Sequence, residues 1–209
     1  MARSGLTREA KTAVVRAALI EAAAQMFAER GFDRTSLDAV ADQAGLTKGA
    51  VYSNFEDKED LFFEACRSVA AGGSQNVLVG DGSVVSRLAK WAVSVGRLSS
   101  TVGSDRRAAL DAEALQLALR SERTRTWVAA QQAQARAALA WVLQMDGAAT
   151  EEGVGVPPQE MATIILALLR GLLMERTIAP DAVPDHYFAD AVRLLITDAG
   201  DRSGSVSGP

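Results

Sequence analysis

The chain has 209 residues, of which 48% are hydrophobic and 23% charged, a composition ordinary for a globular protein with one large domain or two small ones. The formal net charge of −4 excludes a polycation, so DNA binding cannot be argued from overall charge. A single cysteine, Cys66, excludes an intramolecular disulfide framework, and with a single histidine it leaves little material for a metal site. We therefore predict no metal and no cofactor.

The sequence also indicates where the protein resides. Its first residues are charged, and no apolar segment follows a basic start, so we expect no secretory signal. The longest apolar run, residues 161–169, is too short to span a bilayer. Together with the low cysteine content, these features predict a cytoplasmic protein without a membrane partner.

The N-terminal part of the chain begins with a long predicted helix over residues 8–30, where apolar side chains recur at helical spacing. Gly31 supplies the stop, because glycine tolerates the positive φ that ends many helices. A fourth helix is predicted to begin after Asp57, which with Asp60 forms a typical N-terminal capping pattern.

Two short helices are predicted between these long ones. Thr35, followed by Asp38 three residues later, resembles a capping box that opens the second helix, which ends near residue 43. Thr47 is the expected N-cap of a third helix of barely two turns, ending near residues 54–55. Three compact helices with a glycine-containing turn between the second and third are typical of a helix-turn-helix.

The rest of the chain is predicted to be helical as well, which gives an all-α fold of about nine helices. We expect helices near residues 84–99, 105–119, 121–145 and 159–177, then a last one ending near 199. Loops are predicted over residues 72–83 and 146–158, which are rich in Gly, Ser and acidic residues, and a disordered tail over 200–209.

Residues 27–62, FAERGFDRTSLDAVADQAGLTKGAVYSNFEDKEDLF, resemble the N-terminal DNA-binding module of TetR-type bacterial repressors almost position by position. Thr47-Lys48-Gly49 stands at the start of the recognition helix and Tyr52 near its end. Where the family often has a histidine, this chain has Asn54. The resemblance implies a helix-turn-helix DNA-binding domain over residues 8–56, followed by a helical ligand-binding and dimerisation domain over 57–199.

The resemblance further implies a ligand-responsive transcriptional regulator: a homodimeric repressor that binds a palindromic operator and is released by a small, largely apolar molecule. The recognition helix would enter the major groove, where Lys48 can reach guanine acceptors. Tyr52, Lys58 and the hydroxyl and N–H groups at residues 35–36 would contact phosphates. The predicted DNA-binding residues are Thr35, Ser36, Thr47, Lys48, Gly49, Ala50, Tyr52, Ser53, Asn54 and Lys58.

The charge of residues 1–58 leaves another interpretation open. This segment contains eight basic and eight acidic residues, so DNA affinity would have to come from where the positive charges lie rather than from an excess of them. A helix-turn-helix protein that acts through protein contacts is the alternative.

Dimerisation is predicted from the penultimate helix, whose apolar stripe is too wide to be covered by one neighbouring surface. Two helices from each subunit packed as a four-helix bundle would bury it, whereas a monomeric core is the alternative. The predicted interface residues are Ile164, Ile165, Leu168, Gly171, Leu172, Phe188, Val192 and Leu195.

The ligand site is predicted from large apolar side chains that could line a cavity, although tryptophans in helical proteins also fill cores. Glu113 could meet a cationic ligand or simply face solvent. The predicted ligand-binding residues are Trp91, Leu110, Glu113, Leu115, Trp127 and Trp141.

An enzyme is the competing class of function. The sequence has no nucleophile elbow, no phosphate-binding glycine loop and no paired metal ligands, and its one histidine argues against a Ser-His or Cys-His site. We therefore predict that the protein is not an enzyme. Cys66 could sense redox state, but a lone helical cysteine is usually inert.

Overall fold

The structure is a computed structural model that describes residues 7–71, 82–98, 104–145 and 156–203. These residues form nine α-helices and one short 3-10 turn, with no strand among them, so the predicted all-α class is confirmed. None of the helices in this part of the chain combines the length and hydrophobicity needed to cross a bilayer. Most of the predicted loops, at residues 72–81 and 146–155, and residues 204–209 lie outside the described residues.

The helix boundaries agree closely with the sequence pattern. The helices are α1 (Arg8–Arg30), α2 (Leu37–Gln43), α3 (Lys48–Tyr52), α4 (Lys58–Ala71), α5 (Val84–Leu98), α6 (Ser104–Ala118), α7 (Glu122–Met145), α8 (Pro158–Ile178) and α9 (His186–Ser203), with the 3-10 turn at Pro180–Ala182.

Two helix ends differ from the prediction. Helix α3 stops at Tyr52 because the Asn54 N–H bonds to the carbonyl of Val51, three residues back instead of four. Helix α9 continues to Ser203, four residues past its predicted end near residue 199. One interior glycine, Gly200, costs a helix only about 1 kcal/mol, and no proline stops it there.

The N-terminus of α2 corrects a second prediction. Ser36, not Thr35, is the N-cap, since its hydroxyl accepts a hydrogen bond from the N–H of Ala39 at 3.1 Å. The Thr35 side chain is buried, and its hydroxyl donates to the Gly31 carbonyl at 2.9 Å, at the end of α1. The predicted capping box is therefore wrong, and the carboxylate of Asp38 is left available for another partner.

The chain divides into two compact units built from segments distant in sequence. The first comprises Met1–Gly72 and Asp105–Arg125, and the second Gly73–Ser104 and Thr126–Pro209. The first unit thus contains α6 and the start of α7 in addition to α1 to α4. Because these units are not the continuous segments expected from the sequence, the predicted domain boundary near residue 56 stays a prediction.

The core of the first unit is an aromatic cluster of Phe27, Phe32 and Phe62. Phe27 and Phe32 stack with ring centroids 5.8 Å apart, and Phe62 meets both edge-on at 5.2 Å and 5.4 Å. Such pairs contribute beyond the burial of their area, by about 0.5–1.5 kcal/mol each. The cluster joins the end of α1 to α4, and the buried Val40 and Val51 seat α2 and α3 beside it.

The core of the second unit is formed by α5, α7, α8 and α9. It contains Ile165, Phe188 and Val192, each of which is fully buried there. Because these three side chains are already buried within their own unit, we leave them out of the proposed contacts between subunits. The sequence pattern predicted an apolar stripe on α8, but it did not show which residues of the stripe face the core of the unit and which face outward.

An ion-pair cluster also stabilises the second unit. Asp185 lies just before α9 and receives Arg97 of α5 at 2.9 Å and Arg176 of α8 at 2.8 Å. These two guanidinium groups lower the pKa of Asp185 from its usual value. The guanidinium of Arg176 also lies over the ring of Phe188, so the cluster fixes the start of α9 against its neighbours.

The crossing of α5 and α9 requires a glycine. A Cβ atom added at Gly96 would lie 2.8 Å from the ring of Phe188, well inside van der Waals contact. Since that ring is fully buried, it cannot move aside without disturbing the surrounding core.

We therefore expect Gly96→Ala to lower the free energy of unfolding by about 1–3 kcal/mol, through overpacking of the core. The measurement is urea unfolding followed by circular dichroism. Gly49→Ala is the matched control, because a Cβ at Gly49 meets nothing closer than Thr47 Oγ1 at 3.9 Å. Equal stability of the two variants would contradict the tight crossing.

Candidate nucleic-acid interface

Helix α3 presents a compact exposed surface on the first unit. Its inner side chain, Val51, is fully buried, whereas Lys48, Gly49 and Tyr52 face outward. Tyr52 is 61% exposed, an unusual position for a large ring that has both an apolar face and a hydroxyl. The arrangement leaves an aromatic ring, a cation and open backbone on one short helix.

The beginning of α3 keeps its polar groups available. Thr47 occupies the N-cap position, but its hydroxyl makes no capping hydrogen bond among the described residues. At Gly49 the absence of a side chain leaves the backbone open to a close approach. Ser53, which follows the helix, is exposed, although its hydroxyl donates to the Ala50 carbonyl at 3.1 Å.

Lys48 is held by a carboxylate from α2. Its ammonium nitrogen lies 2.5 Å from Oδ2 of Asp38, and this hydrogen bond raises the pKa of Lys48, as does the charge of Asp38. Lys48 therefore stays protonated, but its charge is balanced by a neighbour. Ser36, at the start of the same helix, is exposed and uses its hydroxyl oxygen as the cap.

Two residues predicted to contact phosphates, Thr35 and Lys58, instead interact with other groups of the first unit. Thr35 is only 1% exposed, so we leave it out of the proposed contact surface. The ammonium of Lys58 donates to the Asp33 carbonyl at 3.3 Å and lies 4.4 Å from the ring centroid of Phe32. Its partial burial lowers the pKa of Lys58. Lys58 thus stabilises the end of α1 in this structure.

Asn54 closes the C-terminal end of α3. Its side-chain amide donates to the Ala50 carbonyl at 2.7 Å, and its own carbonyl accepts from Arg16 at 2.7 Å. Arg16 also pairs with Glu64 at 2.9 Å and lies over the ring of Phe55. Nothing in the local sequence pattern predicts this role for Arg16, because its partner Asn54 is 38 residues away. Ala50 is half-buried beneath these contacts.

A second set of polar contacts, also absent from the predictions, joins the start of α7 to the start of α4. The carboxylate of Glu59 accepts from the Ser121 hydroxyl at 2.6 Å and from the Thr124 hydroxyl at 2.9 Å. Thr124 is fully buried, and Arg123 pairs with Asp57. These contacts fix the N-terminus of α4 within the first unit. The sequence pattern did not predict them because the paired residues lie far apart in the chain.

The predicted ligand-binding residues fall into both units. In the first, Leu110 is buried and Leu115 is exposed, while the carboxylate of Glu113 accepts the Phe32 N–H at 2.8 Å. Glu113 and Leu115 border an open cavity of about 600 Å³ between α1 and α6. Glu113 is thus neither purely solvent-facing nor free for a ligand.

In the second unit, the three tryptophans differ in exposure. Trp91 is half-buried against the core, and Trp127 is also half-buried. Trp141 is 58% exposed and borders a cavity of about 370 Å³ between α7 and α8. Of the three, Trp141 has the placement that fits contact with a ligand, whereas Trp91 packs as core.

The exposed face of α8 carries the remaining dimer candidates. Ile164 and Leu168 are 44% and 39% exposed, and Gly171 lies on the same face with no neighbour around it. Leu172 and Leu195 are half-buried at its margin. The predictions missed four further apolar side chains, exposed on α8 and α9: Met174, Ile178, Tyr187 and Leu194.

Comparison with known proteins gives a consistent result. Residues 19–65 match the family described as bacterial regulatory proteins, tetR family. Over 54 residues the chain is 46% identical to the HTH-type transcriptional repressor BepR of Brucella suis biovar 1 (strain 1330), covering 26% of each chain. The chain spans about a quarter of the length of the curated relatives it matches.

Similarity to solved structures extends over most of the chain. The chain is similar to Salmonella enterica GusR with a TM-score of 0.72 and 23% identity, over 94% of this chain and 98% of that one. It is also similar to NalD, the secondary repressor of the MexAB-OprM multidrug efflux pump in Pseudomonas aeruginosa, with a TM-score of 0.67 and 21% identity over 90% and 96%. These similarities show the fold. The named relatives are regulators, in agreement with the prediction that this chain is not an enzyme.

The contact between Arg16 and the end of α3 can be tested directly. We expect Arg16→Met to lower the free energy of unfolding by about 1–3 kcal/mol, because the Asn54 carbonyl loses a charge-assisted donor and Glu64 loses the nearer of its two arginine partners. Urea unfolding measures the change. The control is Lys11→Met on the exposed part of α1, expected to alter stability by less than about 0.5 kcal/mol. If both substitutions had the same effect, Arg16 would not hold α3.

Proposed function

We propose that this chain, whose residues 19–65 match the tetR family of bacterial regulatory proteins, is a transcriptional regulator that represses genes by binding operator DNA. The observation that carries the proposal is the exposed surface of α3 within a domain that matches this family over residues 19–65. A helix of this kind enters the major groove with its N-terminal residues toward the base edges.

The contact residues divide by their surroundings in the structure. Lys48 can donate to guanine O6 and N7, and Gly49 lets the backbone approach the bases. Thr47, Ser53 and the exposed hydroxyl of Tyr52 suit phosphate oxygens, which position the helix without specifying sequence. Because Asn54 and Lys58 are engaged within the domain, we assign them a supporting role.

We further propose that the protein acts as a homodimer on a palindromic operator. The support is the outward apolar face of α8, where Ile164, Leu168 and Met174 are exposed along one side of the helix. An exposed apolar stripe of this kind costs free energy in water and is typical of a surface covered by another subunit. A two-fold dimer reads two equivalent half-sites, which accounts for a palindrome.

Release by a small, largely apolar molecule is the third part of the proposal. The open groove beside Trp141 supports it, since its volume of about 370 Å³ can hold a small molecule against the indole ring. Its lining combines the indole ring and alanine side chains with polar groups from Arg136, Gln144 and Thr163. A molecule that binds one conformation of the dimer more tightly shifts the population away from the DNA-binding conformation. The cell compartment that fits this function is the cytoplasm.

The DNA-binding surface predicts a specific loss of affinity. We expect the Lys48→Ala, Tyr52→Ala double variant to bind a labelled duplex from the region upstream of the gene at least about thirtyfold more weakly than wild type, through loss of a base contact and a phosphate contact. Fluorescence anisotropy measures the binding, and the wild-type affinity should fall steeply as salt rises because counterions are released.

Lys90→Ala is the matched control for loss of one exposed lysine, and we expect wild-type affinity from it. If wild type binds neither that duplex nor any sequence selected from a random pool, the DNA-binding proposal fails. A helix-turn-helix protein that acts through protein contacts would then be the better interpretation.

The face of α8 predicts the oligomeric state. We expect a dimer by analytical ultracentrifugation, and at least about hundredfold weaker association for Leu168→Glu, because an unpaired charge would be buried between subunits. Leu119→Glu is the control, since Leu119 is 85% exposed in the turn just after α6, in the other unit, and should leave the dimer intact. A monomeric wild type, or dissociation only with Leu119→Glu, would contradict the proposed interface.

A further inference from the structure

Asp38 and Lys48 join the two short helices of the helix-turn-helix by an ion pair. The pair is solvent-accessible, with 63% of the Lys48 side chain and 42% of the Asp38 side chain exposed. An exposed pair changes an equilibrium by no more than about fivefold, so it contributes little to the fold. Ser36 already caps α2, which leaves Asp38 no capping role. A carboxylate in the first turn of α2 also interacts favourably with the helix dipole, but that interaction does not require the pairing with Lys48.

The charge around this pair is unusual for a surface that approaches DNA. Residues 36–55 contain one basic residue, Lys48, and two acidic ones, Asp38 and Asp42. Asp42 is exposed on the same helix and acts on Lys48 only through its charge. Residues 36–55 thus carry no net positive charge to attract phosphates, although non-specific DNA binding depends almost entirely on such attraction.

We propose that Asp38 is a specificity-determining residue that lowers the affinity of the protein for non-operator DNA by holding the ammonium of Lys48. This rests on the proposed DNA-binding function. On a non-operator sequence, Lys48 can leave the Asp38 carboxylate only for phosphate oxygens. The negative charge of Asp38 is then held close to the negatively charged DNA backbone, which repels it.

On the operator, the exchange is different. Guanine O6 and N7 together replace the carboxylate as acceptors for Lys48. Asp38 can then accept from the N4 amino group of a cytosine, the base-edge donor that suits a carboxylate. Phosphates offer no donor, so Asp38 penalises contacts to phosphates more than contacts to the matching bases. The ion pair between Asp38 and Lys48 is weak enough for contacts with the matching bases to replace it.

The test compares Asp38→Asn with wild type on two labelled duplexes: one selected from a random pool by the wild-type protein, and a scrambled duplex of equal composition. We expect Asp38→Asn to bind the scrambled duplex about three- to fivefold more tightly, with less gain on the selected duplex. The slope of log K against log salt on the scrambled duplex should steepen by about one charge. Asp38→Glu, which keeps the carboxylate, should retain wild-type discrimination.

Two controls separate the pairing from a general effect of charge. Asp42→Asn removes the same charge from the same helix without breaking the hydrogen bond to Lys48, and should alter discrimination less. In a Lys48→Ala background, Asp38→Asn should lose most of its effect, because the partner is gone. Thermal melting monitored by circular dichroism checks that every variant is folded.

The proposal is overturned if Asp38→Asn changes both affinities equally, if Asp42→Asn has the same effect, or if the effect persists without Lys48. Asp38→Ser, a small polar residue suited to the first turn of a helix, replaces Asp38→Asn if the latter is unfolded, with the same expectations. Failure of the wild type to select any duplex overturns the proposed function itself, which distinguishes that result from selection without a role for Asp38.

Discussion

The turn that follows α1 is the constraint on which the first unit depends. Gly31 adopts a positive φ of 79°, so the chain reverses and Phe32 stacks on Phe27 of the helix it has just left. Thr35 satisfies the carbonyl of Gly31, and Glu113 of α6 accepts the N–H of Phe32. A turn without these contacts would leave buried polar groups unpaired, at a cost of about 1–3 kcal/mol each.

From this turn, the polar residues of the first unit divide into two groups. One group, Arg16, Glu59 and Lys58, forms hydrogen bonds with other segments of the unit and holds α3 and α4 in place. The side chains that remain exposed on α3 are few, and Tyr52 is the largest of them. The exposed surface of α3 is therefore small, and contacts from neighbouring helices hold it in place.

The second unit meets a different physical requirement, because α8 is apolar around most of its circumference. One side, with Ile165 and Leu169, fills the core of its own unit, and the other side leaves Ile164 and Leu168 in water. The close crossing of α5 and α9 at Gly96 and the ion pairs of Asp185 fix the inner side. Free energy is therefore still to be gained by covering the outer side, and this is the physical basis of the proposed dimer.

The amino-acid sequence by itself determined the helices and the resemblance of residues 27–62 to a family of bacterial regulators, because hydrophobic spacing and capping residues act over a few neighbouring positions. It also placed Lys48 and Tyr52 on the exposed helix. Only the tertiary structure decided which apolar residues of α8 and α9 face inward. It also decided that Thr35 is buried and that Asp38 pairs with Lys48. These outcomes depend on contacts between residues far apart in the chain, and local periodicity carries no information about such contacts.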